Sequence, residues 1–473
     1  MRKITELLSR PVPAINLGLF RIFFSVVLLG EVVQLWYFRQ LAFDPIPYIE
    51  PSYKSSTLLY LPWIAAVLCM VIGFRFRIAA VVNYVYVAWM FGGMTSFLYH
   101  FDFTMIGTSV CFIFLPVSQA LSMDSRGKNL STSVPAYCSA ALLFVGIFLV
   151  YSDSLFHKYG SEMWADGLSF WLPSSLPQTS LHDLTFFLDN KAFVLAAGYL
   201  AFVIEAAFCF LFWWRPLRWP LIFLGSTLHL GIVFAFPIPF FGLGAAAFFV
   251  LLLPSNFWTR VLGYKPEAFS VQTRPVRVFL ALAAAFAIFQ GILVLRNAPI
   301  PTLNRLYTQV FESSSAAKQI SEGIQKLGMR FLGLAPHGVY VDEHFEGYNH
   351  IIAIRQPGEK SHIPLIDEVG QAGWYNSGRF FVYWSFRANA PSIKIPSLKQ
   401  GIERYTAFWS GKNKIDLSAN DTSFEIVYKT VNVNIAWERG VLSDSLRDPW
   451  IHLADSTWHS GKCTLQLPDI ESL

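Results

Sequence analysis

YSDSLFHKYGSEMWADGLSFWL, residues 151–172, is the stretch on which the reading of this chain turns. A long apolar run ends inside it, which sets His157 and Lys158 at or near a bilayer surface. Lysine is among the costliest side chains to hold in lipid, so Lys158 either carries its ammonium out to water or has a function. Which of these holds depends first on whether the apolar runs on either side cross a membrane.

The chain has 473 residues, 54% hydrophobic and only 14% charged, with 44 Phe. Soluble domains average about 25% charged residues, so the composition reads as membrane-embedded. The net charge of +5 needs no nucleic-acid partner, because the basic residues fall between apolar runs, where cytoplasmic loops carry them. Cys69, Cys111, Cys138 and Cys209 lie in apolar runs and Cys463 stands alone, which offers neither a disulfide framework nor a metal spacing. The opening MRKITELLSRPVPAIN leads into an apolar run without a small-residue cleavage site and reads as a retained first helix.

A membrane-spanning helix needs roughly 20 mostly apolar residues, and about nine runs qualify. They fall at 17–38, 58–74, 78–99, 103–121, 136–155, 191–213, 219–237, 239–256 and 277–296, of which 239–256 also reads as a re-entrant piece. Basic residues occupy every second gap. Arg2, Lys3 and Arg10 precede the first run; Arg75 and Arg77 follow the second, Arg126 and Lys128 the fourth, and Arg215 and Arg218 the sixth. Arg260, Lys265, Arg274 and Arg277 precede the ninth. The positive-inside rule then sets the N-terminus in the cytoplasm and the loops at 39–57, 100–102, 156–190 and 237–239 outside. His100, His157 and Lys158 face that same outer side, as does everything after about residue 297.

After Ile300 the composition changes. Residues 302–328 carry apolar positions at helical spacing (Leu306, Val310, Ile320, Ile324), and strand-like runs follow at 338–342, 350–355, 379–387 and 424–433. The expected architecture is an α-helical polytopic membrane bundle over 14–297, a helical linker over 298–328, and an extracytoplasmic, mainly β domain over 329–473.

The motifs LGLFRI (17–22), GFRFR (73–77), SFLYH (96–100) and SMD (122–124) come in order along the membrane part. Lys158 with Trp164 and Gly167, then Glu205, then GSTLHLGI (225–232), complete the set. This ordered set resembles the HTTM superfamily, whose best-understood members are the vitamin K-dependent γ-glutamyl carboxylases. The resemblance implies a lysine base at Lys158, assisted by a histidine at His100. In the carboxylases such a base deprotonates a naphthohydroquinone, which oxygen turns into a strong base. That base removes a γ-proton from a peptide glutamate, and carbon dioxide adds. The chain departs from the carboxylases in having Tyr99 before the matching histidine, His157 before the lysine, and one more residue between Lys158 and Trp164.

Each candidate carries a structural alternative. Lys158 as a base needs its neutral amine, which desolvation favours; alternatively it snorkels beside an interfacial Trp164. Asp102, two residues after His100, is placed to orient that ring, or the two form a capping pair. His229 and Glu205 lie inside apolar runs and face the bundle interior, either bound to each other as structural glue or lining a pocket. Arg21 reads as an anchor at the inner end of the first run.

FAFPIPFFGLG (234–244) breaks the helical pattern at Pro237 and Pro239. Its Phe234, Phe236, Phe240 and Phe241 form either the wall of a quinone pocket or lipid-facing aromatics around a turn. DEHFEGYNH (342–350) is dense in His, Asp and Glu, but His344 and His350 match no compact ligand pair, so it reads as a polar hairpin turning at Gly347.

The leading expectation is a membrane enzyme resembling γ-glutamyl carboxylase. It would use a reduced naphthoquinone, O2 and CO2, and no metal, to carboxylate glutamate in an exported peptide or protein. Lys158 and His100 are the expected catalytic pair, with His229, Tyr99, Trp164 and Phe236 at the quinone; the expected location is a bacterial inner membrane. One rival is a non-catalytic maturation or immunity protein binding an exported peptide. The other is a transporter, which lacks the internal repeat that such folds carry.

Overall fold

The computed structural model describes residues 2–45, 51–92, 94, 96–127, 133–263, 265, 273–297, 301–390, 395–419, 421–431 and 433–469. Among these, five helices are long and apolar enough to cross a membrane: Ala14–Tyr37, Ala136–Tyr159, Lys191–Leu211, Arg215–Ala235 and Thr273–Arg296. A sixth counts if Pro239–Leu252 and Ser255–Leu262, bent 83° from each other, make one span. Three more apolar helices, Thr57–Ile72, Phe76–Met90 and His100–Phe114, have only 15 or 16 residues. At 1.5 Å per residue they reach about 23 Å, short of a hydrocarbon core of roughly 30 Å. The nine expected spans are therefore five long helices, one bent pair and three short helices. Length and composition alone carry five or six of the nine, because apolar loop residues continue each short helix past its hydrogen-bonded end. Of the basic loop residues, Lys128 lies outside the described residues, as do residues 298–300 at the expected domain boundary.

Local chemistry explains the helix ends. Gly73, at φ +68°, closes Thr57–Ile72 in the left-handed region, where a side chain would strike the Arg21 guanidinium. Asn190 caps Lys191–Leu211 by accepting from the Phe193 N–H. Three distant motifs meet at this end of the first span. Arg21 is fully buried and donates to the carbonyls of Met70 (3.1 Å) and Leu121. Asp124 accepts from the N–H groups of Arg75 (2.8 Å) and Phe76 (2.9 Å), which starts Phe76–Met90. Arg21 is thus an internal tie between helix ends rather than a surface anchor.

The region after residue 300 begins with the helices Pro301–Phe311 and Ser315–Leu327, where the sequence predicts helix. An antiparallel sheet of four strands follows: His350–Arg355, Thr422–Thr430, Ile451–His459 and Lys462–Leu465, paired in that order. Two strand expectations are corrected. Residues 338–341 are irregular and bend into the short 3-10 helix Asp342–His344, and 379–387 is a helical turn, Arg379–Tyr383, continued by the π-helix Trp384–Ala388. RFFVYWSFR has the composition of a strand, but it is enclosed nearly all round, so no period of two or 3.6 shows in its pattern. With the helix Ile395–Lys412 lying on the sheet, where Trp409 meets Phe424 and Trp458 Nε1 donates to Thr406 Oγ1, the region is mixed α and β rather than mainly β.

This region covers one end of the bundle. Arg404 binds the Leu41 carbonyl (3.0 Å), Arg387 the Leu98 carbonyl (2.9 Å), and Asp342 the backbone at 162–163, while the Gly378 N–H meets the Pro237 carbonyl (2.7 Å). Three of the four loops expected outside, 39–57, 156–190 and 237–239, thus meet a single neighbour, and the fourth, 100–102, meets it through Asp102 and Arg379. One continuous apolar core runs from the bundle into the sheet.

Candidate active site

The span Ala136–Tyr159 is α-helical except for a π-helical turn at Phe144–Phe148. Such a turn inserts one residue and swings the face beyond it by about 100°. Lys158 lies in the last turn of this span, with its side chain 5% exposed. It does not snorkel. Its Nζ contacts both carboxylate oxygens of Glu205, on Lys191–Leu211, at 2.6 Å each. The same Nζ stands 4.1 Å from the centroid of the Trp164 ring. A buried ammonium is tolerated only when its charge is matched, and here a carboxylate and a ring face share that work.

Seven residues before Lys158, on the same face of the helix, the Tyr151 hydroxyl bonds His229 Nε2 on Arg215–Ala235. The His229 Nδ1 is buried without a partner among the described residues, and its ring lies 5.9 Å from Phe241 and 6.0 Å from Phe249. Glu205 and His229 therefore do not bind each other: each takes a partner from the Lys158 span.

Of the other residues singled out in the sequence, Trp164 and Phe236 join this site. The Trp164 N–H donates to the Tyr340 carbonyl (2.7 Å), and the Phe236 ring meets Tyr340 edge-on at 5.5 Å. Within the aromatic tract Phe236 is buried and Phe241 faces His229, while Phe234 is largely exposed.

His100 and Tyr99 do not meet the amine, although Tyr99 lies by the backbone of Phe241, whose ring faces His229. His100 packs on His337 (5.7 Å between ring centroids) and Phe103 (5.9 Å), so the partner that meets the amine is Glu205, not His100. His157 and Lys158, being consecutive on a helix, point about 100° apart; His157 turns toward Gly338 and Asp153. Tyr99 starts the helix His100–Phe114 and donates its N–H to Asp102 (3.2 Å).

Asp102 does not orient His100. With Glu31 it holds Arg379, which enters the bundle from the C-terminal region: Nη2 lies 2.9 Å from Asp102 Oδ1 and 3.0 Å from Glu31 Oε2, all three side chains fully buried. Burial alone would lower the Arg379 pKa; the charges of Asp102 and then Glu31 outweigh it and hold the guanidinium above its usual range. An acid inside an apolar run was a signal for Glu31. Nothing in the pattern signalled Arg379, whose partners are 277 and 348 residues away.

In the C-terminal region the stretch at 342–350 gathers no ligand set, and among the described residues no three His, Cys, Asp or Glu converge as a metal would require. Its first acid instead caps a helix of the membrane part. Asp342 receives the Ser161 hydroxyl (2.7 Å) and the N–H groups of Glu162 (2.7 Å) and Met163 (2.9 Å).

The arrangement offers a buried Lys–Glu pair between which a proton can pass, an adjacent Tyr–His pair with one ring nitrogen unpartnered among the described residues, and aromatic walls. Compared with known families, the chain matches the HTTM domain over residues 9–258. No curated protein and no solved structure matches it.

Proposed function

The chain belongs to the HTTM domain family, and from that premise we propose that it is an integral membrane enzyme resembling the vitamin K-dependent γ-glutamyl carboxylases. The observation that carries this reading is the buried contact of Lys158 with Glu205, under Trp164 and beside Tyr151–His229. The orphaned His229 Nδ1 and the rings of Trp164, Phe236 and Phe241 suit an aromatic diol, so a reduced naphthoquinone fits the residues present. Bound there with O2, it would supply the strong base needed to remove a γ-proton from a peptide glutamate for addition of CO2.

The part of the chain itself is proton handling. As an ammonium, Lys158 would have no lone pair to offer. Passing that proton 2.6 Å to Glu205 frees the amine to accept one from a quinol hydroxyl. The Trp164 face then favours the ammonium that forms. His229 and Tyr151 orient the ring from the opposite side, while the role expected of His100 passes to Glu205.

On this reading the end covered by residues 301–469 is extracytoplasmic and the N-terminus cytoplasmic, in a bacterial inner membrane. The three short helices then count as crossings, with the bilayer thinned around them, which makes nine. The substrate is an exported peptide or protein arriving at the covered end.

The test is O2-dependent epoxidation of a reduced naphthoquinone by the purified protein in nanodiscs, with glutamate-rich peptides present. Wild type is expected to form epoxide, and Lys158→Ala to lose about 10²–10⁴-fold of it, the usual contribution of a general base. Undiminished epoxide from the variant overturns the assignment. A second reading, a non-catalytic protein binding an exported peptide, is favoured by the completeness of the Lys158–Glu205 pair, since a purely structural ion pair has the same form. Absence of epoxide from wild type moves the weight to that reading.

A further inference from the structure

Residues 334–348 cross the covered end of the bundle directly above the Lys158 site. Their inner side grips residues 153–164 at successive points. The His337 N–H bonds the Asp153 carboxylate, Gly338 lies against the His157 ring, the Tyr340 carbonyl takes the Trp164 N–H, and Asp342 takes three donors from 161–163. Their outer side presents Glu343, Glu346 and Gly347 to solvent. The segment is entered and left through residues in the left-handed region, Gly333 (φ +69°) and Gly347 (φ +83°), and Tyr340 itself is held at φ +62°, a conformation that residues with a side chain seldom adopt. It lies beyond residue 258, where the family match ends, so the roof over the site comes from the part of the chain outside that match.

We propose that residues 334–348 are a lid latched by Asp342, and that Asp342 and Tyr340 are positioning residues that hold Trp164 over Lys158. Lys158, Glu205, Trp164 and Phe236 are all buried, so in this closed state no molecule the size of an aromatic ring reaches the amine. The roof hangs on the segment, and the segment is fastened to the start of the helix Glu162–Ala165 by the Asp342 carboxylate and to its Trp164 by the Tyr340 carbonyl. Releasing Asp342 frees the start of that helix and, through it, the Trp164 ring 4.1 Å from the ammonium. Opening at the two glycines admits a substrate; closing excludes water from the proton exchange between Lys158 and Glu205. The importance for turnover rests on the enzyme reading above, whereas the closure itself does not.

The test therefore reads closure on the amine without any turnover. Full-length protein in nanodiscs is treated with formaldehyde and a borane, and dimethylation of each lysine is followed by mass spectrometry. Lys360, which is exposed, sets the unhindered rate. Lys429, buried on the carbonyls of Val369, Ser445 and Leu446, reports that the fold is intact.

Wild-type Lys158 is expected to react far more slowly than Lys360. Asp342→Ala should raise the Lys158-to-Lys360 ratio at least about tenfold while Lys429 stays protected, the usual scale for loss of a capping side chain. Asp342→Asn, which keeps an acceptor for the N–H groups, should restore most of the protection. An unchanged ratio in Asp342→Ala, or a wild-type Lys158 as reactive as Lys360, overturns the lid. If Lys429 also reacts in Asp342→Ala, the milder Ser161→Ala decides by the same ratio. If the lid holds while wild type makes no epoxide, only the enzyme reading falls; entry of substrate sideways from lipid would appear as epoxidation that Asp342→Ala leaves unchanged.

Discussion

Arg21 and Arg379 are both fully buried guanidiniums, one at each end of the bundle, and their partners differ in kind. Arg21 gives its terminal nitrogens to the main-chain carbonyls of Met70 and Leu121, which are neutral and fixed at helix ends. Arg379 reaches two carboxylates, Asp102 and Glu31, across helices that it does not belong to. Carbonyl partners hold a shape and leave little to titrate. Carboxylate partners hold a shape and also concentrate charge that a proton or a neighbouring cation changes. The Lys158–Glu205 pair and the orphaned His229 Nδ1 lie toward the same end as Arg379, the end that the C-terminal region covers. The end built on main-chain ties serves as scaffold, and the end built on paired charges is where chemistry is proposed.

That contrast breaks most readily at Arg379. Arg379→Met strands two buried carboxylates and is expected to cost about 3–5 kcal/mol, read as a lowered midpoint in thermal denaturation of the protein in detergent. Adding Glu31→Gln should recover part of the loss; a midpoint no different from wild type in the single variant means that the triad does not clamp the C-terminal region. Arg21→Met should cost less, about 2 kcal/mol, because it strands carbonyls rather than charges. Its epoxide yield per folded molecule should match wild type, and a selective loss of turnover would erase the distinction between the two ends.

The smallest effect concerns the lid. Burial, and then the charge of His157, push His337 down to about 4, and burial also lowers His344. The closed lid therefore favours neutral histidines, while the released segment takes up protons below its ordinary pKa of about 6.5. Closure should be complete above pH 6.5, weaken as the pH falls toward 4, and level off below it. The groups facing His337 are His100, His157, Asp153 and Phe103. Hydrogen exchange at the amides of 334–348, corrected for the intrinsic rate, should report the loss. His337→Gln should flatten the profile, and a flat wild-type profile would detach the lid from these histidines.

Much of the scaffold was legible in the chain. Apolar runs of helical length located each of the five helices that, among the described residues, are long enough to cross a membrane, because apolar length is a property of neighbours along one element. Gly73 was readable only as part of GFRFR, and its reason, contact with Arg21, appears once the motifs at 17–22, 73–77 and 122–124 are folded together. Lys158 drew attention as a charge next to an apolar run, and Tyr151 could have been found with it, seven residues earlier on the same helical face. The strand expected at 379–387 failed because a segment enclosed on all sides carries no period to read.

Residue order alone is enough to establish that this chain is built of apolar helices long enough for a membrane, that its C-terminal part changes character, and that it carries the ordered HTTM motifs. What the lysine touches came only with the packed molecule. Glu205 is 47 residues from Lys158, Asp342 about 180 from the helix it caps, and Arg379 hundreds from its acids. Helix propensity and apolar pattern act over a few residues. The partner of a buried charge is instead chosen by which helices pack side by side and by the cost of leaving that charge unpaired, and neither quantity is local to any stretch of the chain.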